Sequence, residues 1–274
     1  AWENNVRKVV PYVPGEQPKS KRVIKLNTNE CPYPPSKKVK RALRKIDNNR
    51  LRLYPDPQAE ELTKTLAKYY DVDEKQVFVG VGSDDVLSMA FLTFFHSKKP
   101  ILFPDITYSF YDVWANLYEI PYETIPLDEE FRIHVEDYNR DNGGIVIANP
   151  NAPTGLMTSR DELEKLIKAN KDVVVIVDEA YVDFGGESCV PLVDKYDNLL
   201  VVQTFSKSTA MAGMRIGFAI GSKKLIKYLL DAKFSFNSYT MNLPSLELGV
   251  ASVKDDKYFK ETVGKVIATR EWTK

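Results

Sequence analysis

The chain has 274 residues, 43% of them hydrophobic, with 38 Lys+Arg balanced by 38 Asp+Glu, the composition of a globular protein with one large domain or a large domain and part of a second. Zero net charge gives no reason to expect a nucleic-acid partner, and the longest apolar runs, Val173–Val177 and Met89–Phe95, are far too short to span a bilayer. No secretory pattern opens the chain, and Cys31, Cys189, His96 and His134 lack metal-ligand spacing, so a cytoplasmic protein with reduced thiols and no metal is expected, and Ser-His-Asp chemistry has almost no material.

Taken in chain order, residues 1–35 contain Pro11, Pro14, Pro18, Pro32, Pro34 and Pro35 and read as an extended arm. Ser36 is a good N-cap for a helix to about Ile46. Tyr54-Pro55-Asp56-Pro57 reads as a rigid loop before a helix over Glu60–Tyr70. From there strands and helices alternate. Val77–Val79, Ile101–Phe103, Ile145–Ala148, Val173–Val177, Leu199–Val202 and Ile216–Ile220 are short β-branched runs, expected to be buried on both faces. Asp84–Phe95, Ser109–Tyr118, Ser159–Asn170 and Lys223–Asp231 carry apolar residues at helical spacing. Such alternation predicts an α/β domain with a mostly parallel sheet over 36–255. Two helical segments follow Leu243. The last, from about Asp256, is still in register at Lys274, so 256–274 is expected to lead into a small domain that the chain does not carry.

Ligands of open parallel sheets sit beyond the carboxyl ends of the strands, and five sequence features lie there. Gly80-Val81-Gly82-Ser83-Asp84-Asp85 turns tightly between strand and helix, leaving the N–H groups of Ser83 and Asp84 for a phosphate, although the same residues also make a plain N-terminal cap. Asp178 ends a buried strand, where a carboxylate is costly unless it meets a cation. A protonated pyridine nitrogen at ~4 Å and an effective dielectric of ~20 would supply about 4 kcal/mol, roughly three pKa units. The alternative, a metal-binding Asp178-Glu179 pair, lacks the phosphate loop that accompanies it. Lys207, in Thr204-Phe205-Ser206-Lys207-Ser208, follows a strand where partial desolvation favours a nucleophilic amine, though most lysines are surface charges. Arg215 lies eight residues later, placed either to pair with a phosphate or to form a surface ion pair. Asn149-Pro150-Asn151-Ala152-Pro153-Thr154-Gly155 is a rigid turn after a strand.

Together, Asp178-Glu179-Ala180-Tyr181, then Ser206-Lys207 29 residues after Asp178, then Arg215 resemble the fold-type I pyridoxal-5′-phosphate (PLP) aminotransferases. Within them, Val6-Arg7-Lys8-Val9-Val10-Pro11-Tyr12, Leu26-Asn27-Thr28-Asn29-Glu30, Tyr54-Pro55-Asp56-Pro57 and Gly82-Ser83-Asp84 look like the histidinol-phosphate aminotransferase subgroup. The resemblance implies that Lys207 forms the Schiff base with PLP and then moves the proton, that Asp178 pairs with the pyridinium nitrogen, and that Tyr181 bonds the phenolic oxygen. It implies Tyr108 stacked on the ring, and Ser83, Asp84, Ser206 and Arg215 on the phosphate. Tyr54 would reach the phosphate of the neighbouring subunit of a homodimer, and Tyr12, Asn29 and Glu30 would line the substrate pocket for a small amino donor and a 2-oxo acid. The implied reaction moves the amino group of L-histidinol phosphate to 2-oxoglutarate in histidine biosynthesis. Threonine-phosphate decarboxylation, aromatic transamination and a shortened PLP-binding chain without turnover are the alternatives. The chain departs from the family at Ala152, where an Asn is usual, so that Asn151 takes over its contact with the cofactor oxygen or Tyr181 acts alone. Cys31 also stands where Asn is frequent. A substrate-binding arginine is expected in a later segment of relatives.

Overall fold

The computed structural model describes residues 2–20 and 22–274, and its seven strands form one sheet. They are β1 (Val77–Gly80), β2 (Ile101–Pro104), β3 (Tyr122–Ile125), β4 (Gly144–Ala148), β5 (Val175–Asp178), β6 (Leu199–Thr204) and β7 (Gly217–Gly221), in the order β1-β7-β6-β5-β4-β2-β3. β7 runs antiparallel to β1 and β6, and the other pairings are parallel. This reversal brings the entry to β7 to the edge of the sheet at which the parallel strands end. Every residue of β1, β2 and β4–β7 is buried, as continuous apolar runs require when helices cover both faces. The strand pattern missed β3. It is an edge strand with Tyr122, Glu123 and Thr124 exposed, so little burial constrains its composition.

Eight α-helices flank the sheet among the described residues: α1 (Lys37–Lys45), α2 (Glu60–Tyr70), α3 (Ser83–Phe94), α4 (Tyr111–Leu117), α5 (Arg160–Ala169), α6 (Lys223–Phe236), α7 (Leu243–Val253) and α8 (Asp256–Thr273). Ser36 caps α1 by accepting from the Val39 N–H, and Ser159 with Glu162 forms a reciprocal capping box on α5. Leu62 and Leu66 of α2, Leu163 of α5 and Leu248 of α7 pack with Val175, Val177 and Val201 on one face. Phe91 of α3, Trp114 of α4 and Leu229 of α6 pack with Ile176, Leu200 and Val202 on the other. The alternation of Val175, Ile176 and Val177 between these two cores is the two-residue period of a strand. Helix α6 runs five residues past the expected end at Asp231, because Leu225, Leu229 and Lys233 continue its buried stripe.

After one 3-10 turn at Trp2–Asn5, the described residues of the arm form no helix or strand before α1, as its prolines dictate. Val10 (87% exposed), Val13 (81%), Ile24 (85%) and Leu26 (82%) leave it with an apolar surface that the described chain does not cover. Helix α8 rests on the 3-10 turn Val182–Phe184 through Arg270, whose Nη1 donates to the Phe184 carbonyl at 2.7 Å. Among the described residues no helix is long and apolar enough to cross a membrane.

Candidate active site

Asp178 is the last residue of β5 and 5% exposed. Its Oδ2 accepts from the Tyr111 hydroxyl at 2.8 Å and its Oδ1 from the Ala180 N–H at 3.2 Å. Burial pushes its carboxyl up to about 6, against those two hydrogen bonds and the more distant charge of Lys207. Glu179 turns to the opposite face of the sheet. There its carboxylate accepts from the Cys189 N–H (2.6 Å), the Ser188 hydroxyl (2.7 Å) and Gln203 Nε2 (2.8 Å), and burial lifts it to about 7. The two carboxylates therefore do not form a metal pair.

Lys207 follows β6 and is half-buried. Its Nζ donates to the Thr28 carbonyl at 2.9 Å and lies 5.4 Å from the centre of the Tyr181 ring. The arm thus closes over the lysine. Asn29 adopts a left-handed backbone (φ 53°), which Asn tolerates better than most residues, and its Nδ2 donates to the Tyr181 hydroxyl at 3.0 Å. Glu30 pairs with Lys25 at 2.7 Å. That hydrogen bond, with smaller help from Lys207, holds its carboxyl below the ordinary value. Tyr12 stacks on Phe110 with centroids 4.2 Å apart, and Phe110 in turn lies 5.6 Å from Tyr108.

Arg215 enters β7 from the same edge. Its Nη1 donates to the Ser206 hydroxyl at 3.4 Å, and its Nη2 lies 3.9 Å from Asp84 Oδ2. Asp84 Oδ1 accepts from the Tyr108 hydroxyl at 2.9 Å. Arg215 itself has φ 50°, a left-handed backbone that costs a non-glycine residue of order 1 kcal/mol. A Cβ on Gly82 would sit 2.4 Å from Arg215 Nη2 and push the guanidinium aside, and φ 89° itself favours glycine. Gly82 starts α3 without a side-chain cap, which leaves the backbone donors at Ser83 and Asp84 for an anion.

The sites inferred from sequence therefore fall into one cluster with two exceptions. Asn151 is a correction. Its Nδ2 hydrogens go to the Ile106 carbonyl (2.9 Å) and Thr154 Oγ1 (3.3 Å), and its Oδ1 accepts from Thr107 (2.7 Å), so it braces its own turn and has no amide hydrogen left for a cofactor. Tyr54 is 81% exposed, with its ring 4.6 Å from that of Tyr239. Sequence reasoning missed Tyr111 and the Thr28 carbonyl. A tyrosine within an apolar helical stripe needs a partner for its hydroxyl and could have pointed to Asp178; the contact of Thr28 is made by backbone and leaves no sequence signal.

The cluster fits PLP on its own chemistry. A buried carboxylate that lacks a cation faces one end, a half-buried amine lies between, and a guanidinium with free helix N–H groups faces the other. A model of the aminotransferase class I and II family matches residues 21–272. The chain belongs to this family. It is a fold-type I aminotransferase, an enzyme that works on a small amino donor and acceptor with PLP as cofactor. It is 53% identical over 271 residues to the histidinol-phosphate aminotransferase of Lactococcus lactis subsp. cremoris MG1363, covering 99% of this chain and 76% of that relative. It is 54% identical to the enzyme of the same name from Clostridium botulinum Hall, covering 99% and 77%. The aminotransferase fold also matches the histidinol-phosphate aminotransferase of Sinorhizobium meliloti, solved with PLP, at TM-score 0.81 and 20% identity over 89% of this chain and 68% of that one.

Proposed function

We propose that this aminotransferase transfers the amino group of L-histidinol phosphate to 2-oxoglutarate, forming imidazole acetol phosphate and L-glutamate in cytoplasmic histidine biosynthesis. The observation that carries the substrate is the identity of 53–54% to relatives of that name over 99% of the chain.

When bound, PLP supplies the electron sink for breaking the substrate's Cα–H bond. The chain's residues do the rest. Lys207 Nζ would anchor the cofactor and, as a free amine, would take the proton from the substrate Cα and return it to the cofactor side. Asp178, buried and held by Tyr111, keeps a proton on the ring nitrogen, since a neutral pyridine would leave its charge unmet. Tyr181, steadied by Asn29, bonds the phenolic oxygen without help at Ala152. Tyr108 covers the ring. Arg215, Ser206 and the N–H groups of Ser83 and Asp84 take the phosphate. Tyr12, Asn29 and Glu30 line the substrate side, and Tyr54 reaches the phosphate of the neighbouring subunit in a homodimer.

The test is the visible spectrum of the purified protein with PLP, before and after L-histidinol phosphate, with glutamate measured when 2-oxoglutarate is present. A PLP band that shifts with this donor, and glutamate release, is the expected result. A band that ignores L-histidinol phosphate but responds to another amino donor would overturn the substrate and keep the cofactor site.

A further inference from the structure

Lys233 occupies a position where α6 calls for an apolar residue. Leu225 and Leu229, eight and four residues earlier, face the core, and Lys233 on the same stripe is only 3% exposed. Its Nζ donates to the Pro57 carbonyl at 2.9 Å and lies 5.8 Å from the ring centres of both Phe78 and Phe234. Burying an ammonium group is costly, and leucine would fill this site without that cost, so a cation here points to a specific task. Burial pushes the amine down from its ordinary value, while Asp85 and Asp56 pull it back up. Asp56 in turn accepts from the N–H groups of Gln58 (2.9 Å) and Glu60 (2.6 Å), and Asp85 accepts from Val81 (2.9 Å) in the glycine turn.

Pro57 closes the loop that presents Tyr54. With prolines at 55 and 57, that loop has few backbone donors with which to hold itself. The end of α6 grips it twice, through Lys233 on Pro57 and through Tyr239, just past the helix, against Tyr54.

We propose that Lys233 is a positioning residue that holds the Tyr54–Pro57 loop so that the Tyr54 hydroxyl meets the cofactor phosphate of the neighbouring subunit. The inference rests on the assignment of Tyr54 to that phosphate. Lys233→Met keeps the apolar stem and removes the donor, and Lys233→Arg keeps a cationic donor. PLP and pyridoxal affinities are measured by absorbance titration for these two variants, for Tyr54→Phe and for Lys233→Met combined with Tyr54→Phe. Lys233→Met and Tyr54→Phe are each expected to weaken PLP about tenfold, the size of one hydrogen bond to a charged group. The double variant is expected to be no weaker than Tyr54→Phe alone, and Lys233→Arg to recover most of the loss. Pyridoxal, which has no phosphate, is expected to bind all of them equally.

Loss with Tyr54→Phe but not with Lys233→Met, additive losses, or an equal loss of pyridoxal binding in Lys233→Met alone would overturn the role of Lys233 and leave that of Tyr54 standing. Undiminished PLP affinity in Tyr54→Phe would overturn the Tyr54 assignment and the role of Lys233 with it. If Lys233→Met does not fold, Lys233→Leu, the residue at the two preceding core positions, takes its place in the same comparison.

Discussion

Asp178 carries its charge into the sheet with one hydroxyl and one N–H to meet it. Its carboxyl stands at about 6 against an ordinary 3.8, so in the cofactor-free protein the folded state holds more protons than the unfolded state between those values. Its contribution to stability is greatest below the unfolded value and is lost as the pH rises through about 6. Cofactor-free Asp178→Asn is therefore expected to be more stable than the parent at pH 7, by up to about 3 kcal/mol, with the difference shrinking toward pH 4. Urea unfolding of both proteins at the two pH values checks this, and taking the difference cancels the parallel titration of Glu179. PLP is expected to bind the parent more tightly than Asp178→Asn, because the asparagine cannot hold the ring nitrogen's proton. Lys207→Ala is expected to lose the covalent PLP band and at least about a hundredfold in turnover, the contribution of a positioned proton-transfer group; a spectrum and rate close to the parent's would remove Lys207 from the centre of the reaction. Asp178, Lys207 and Arg215 stood out in sequence because each lies at, just after or just before the end of a buried strand. Tyr111 and Lys233 did not, because each occupies an ordinary core position of a helix and only the folded chain shows its polar partner, Asp178 for one and the Pro57 carbonyl for the other.

At the scale of elements, the buried strands declared themselves as continuous apolar runs, and the edge strand β3 did not, since exposure on its outer side admits Tyr122, Glu123 and Thr124. The glycine turn before α3 looked like either a cap or a phosphate site. The phosphate reading is supported by the approach of Arg215 to Gly82 and Asp84, which depends on β7 being antiparallel. Gly82→Ala is expected to weaken PLP binding more than about tenfold and to cost about 1–3 kcal/mol of stability, because its backbone is left-handed and its Cβ would meet the guanidinium. Cofactor titration with thermal unfolding checks both. Unchanged affinity would mean that Arg215 is not seated against this turn.

At the scale of the whole molecule, the arm carries an apolar surface that a second subunit is expected to cover. Val10, Val13, Ile24 and Leu26 are 81–87% exposed, and an apolar surface of that kind is usually covered by a partner. A homodimer is expected to show twice the 31.2 kDa chain mass in sedimentation equilibrium, and a monomer at micromolar concentration would count against the shared site. The α/β class, the order of most elements and the placing of Asp178, Lys207 and Arg215 at strand ends were determined by the sequence itself, because buried strands and amphipathic helices leave local patterns of period two and 3.6. Tertiary structure alone decided that β7 turns back to bring Arg215 beside Ser206, that the arm folds its Thr28 carbonyl onto Lys207, and that Asn151 braces a loop. Those outcomes are set by contacts between residues far apart in the chain, and no local pattern encodes which distant partner a buried polar group will meet.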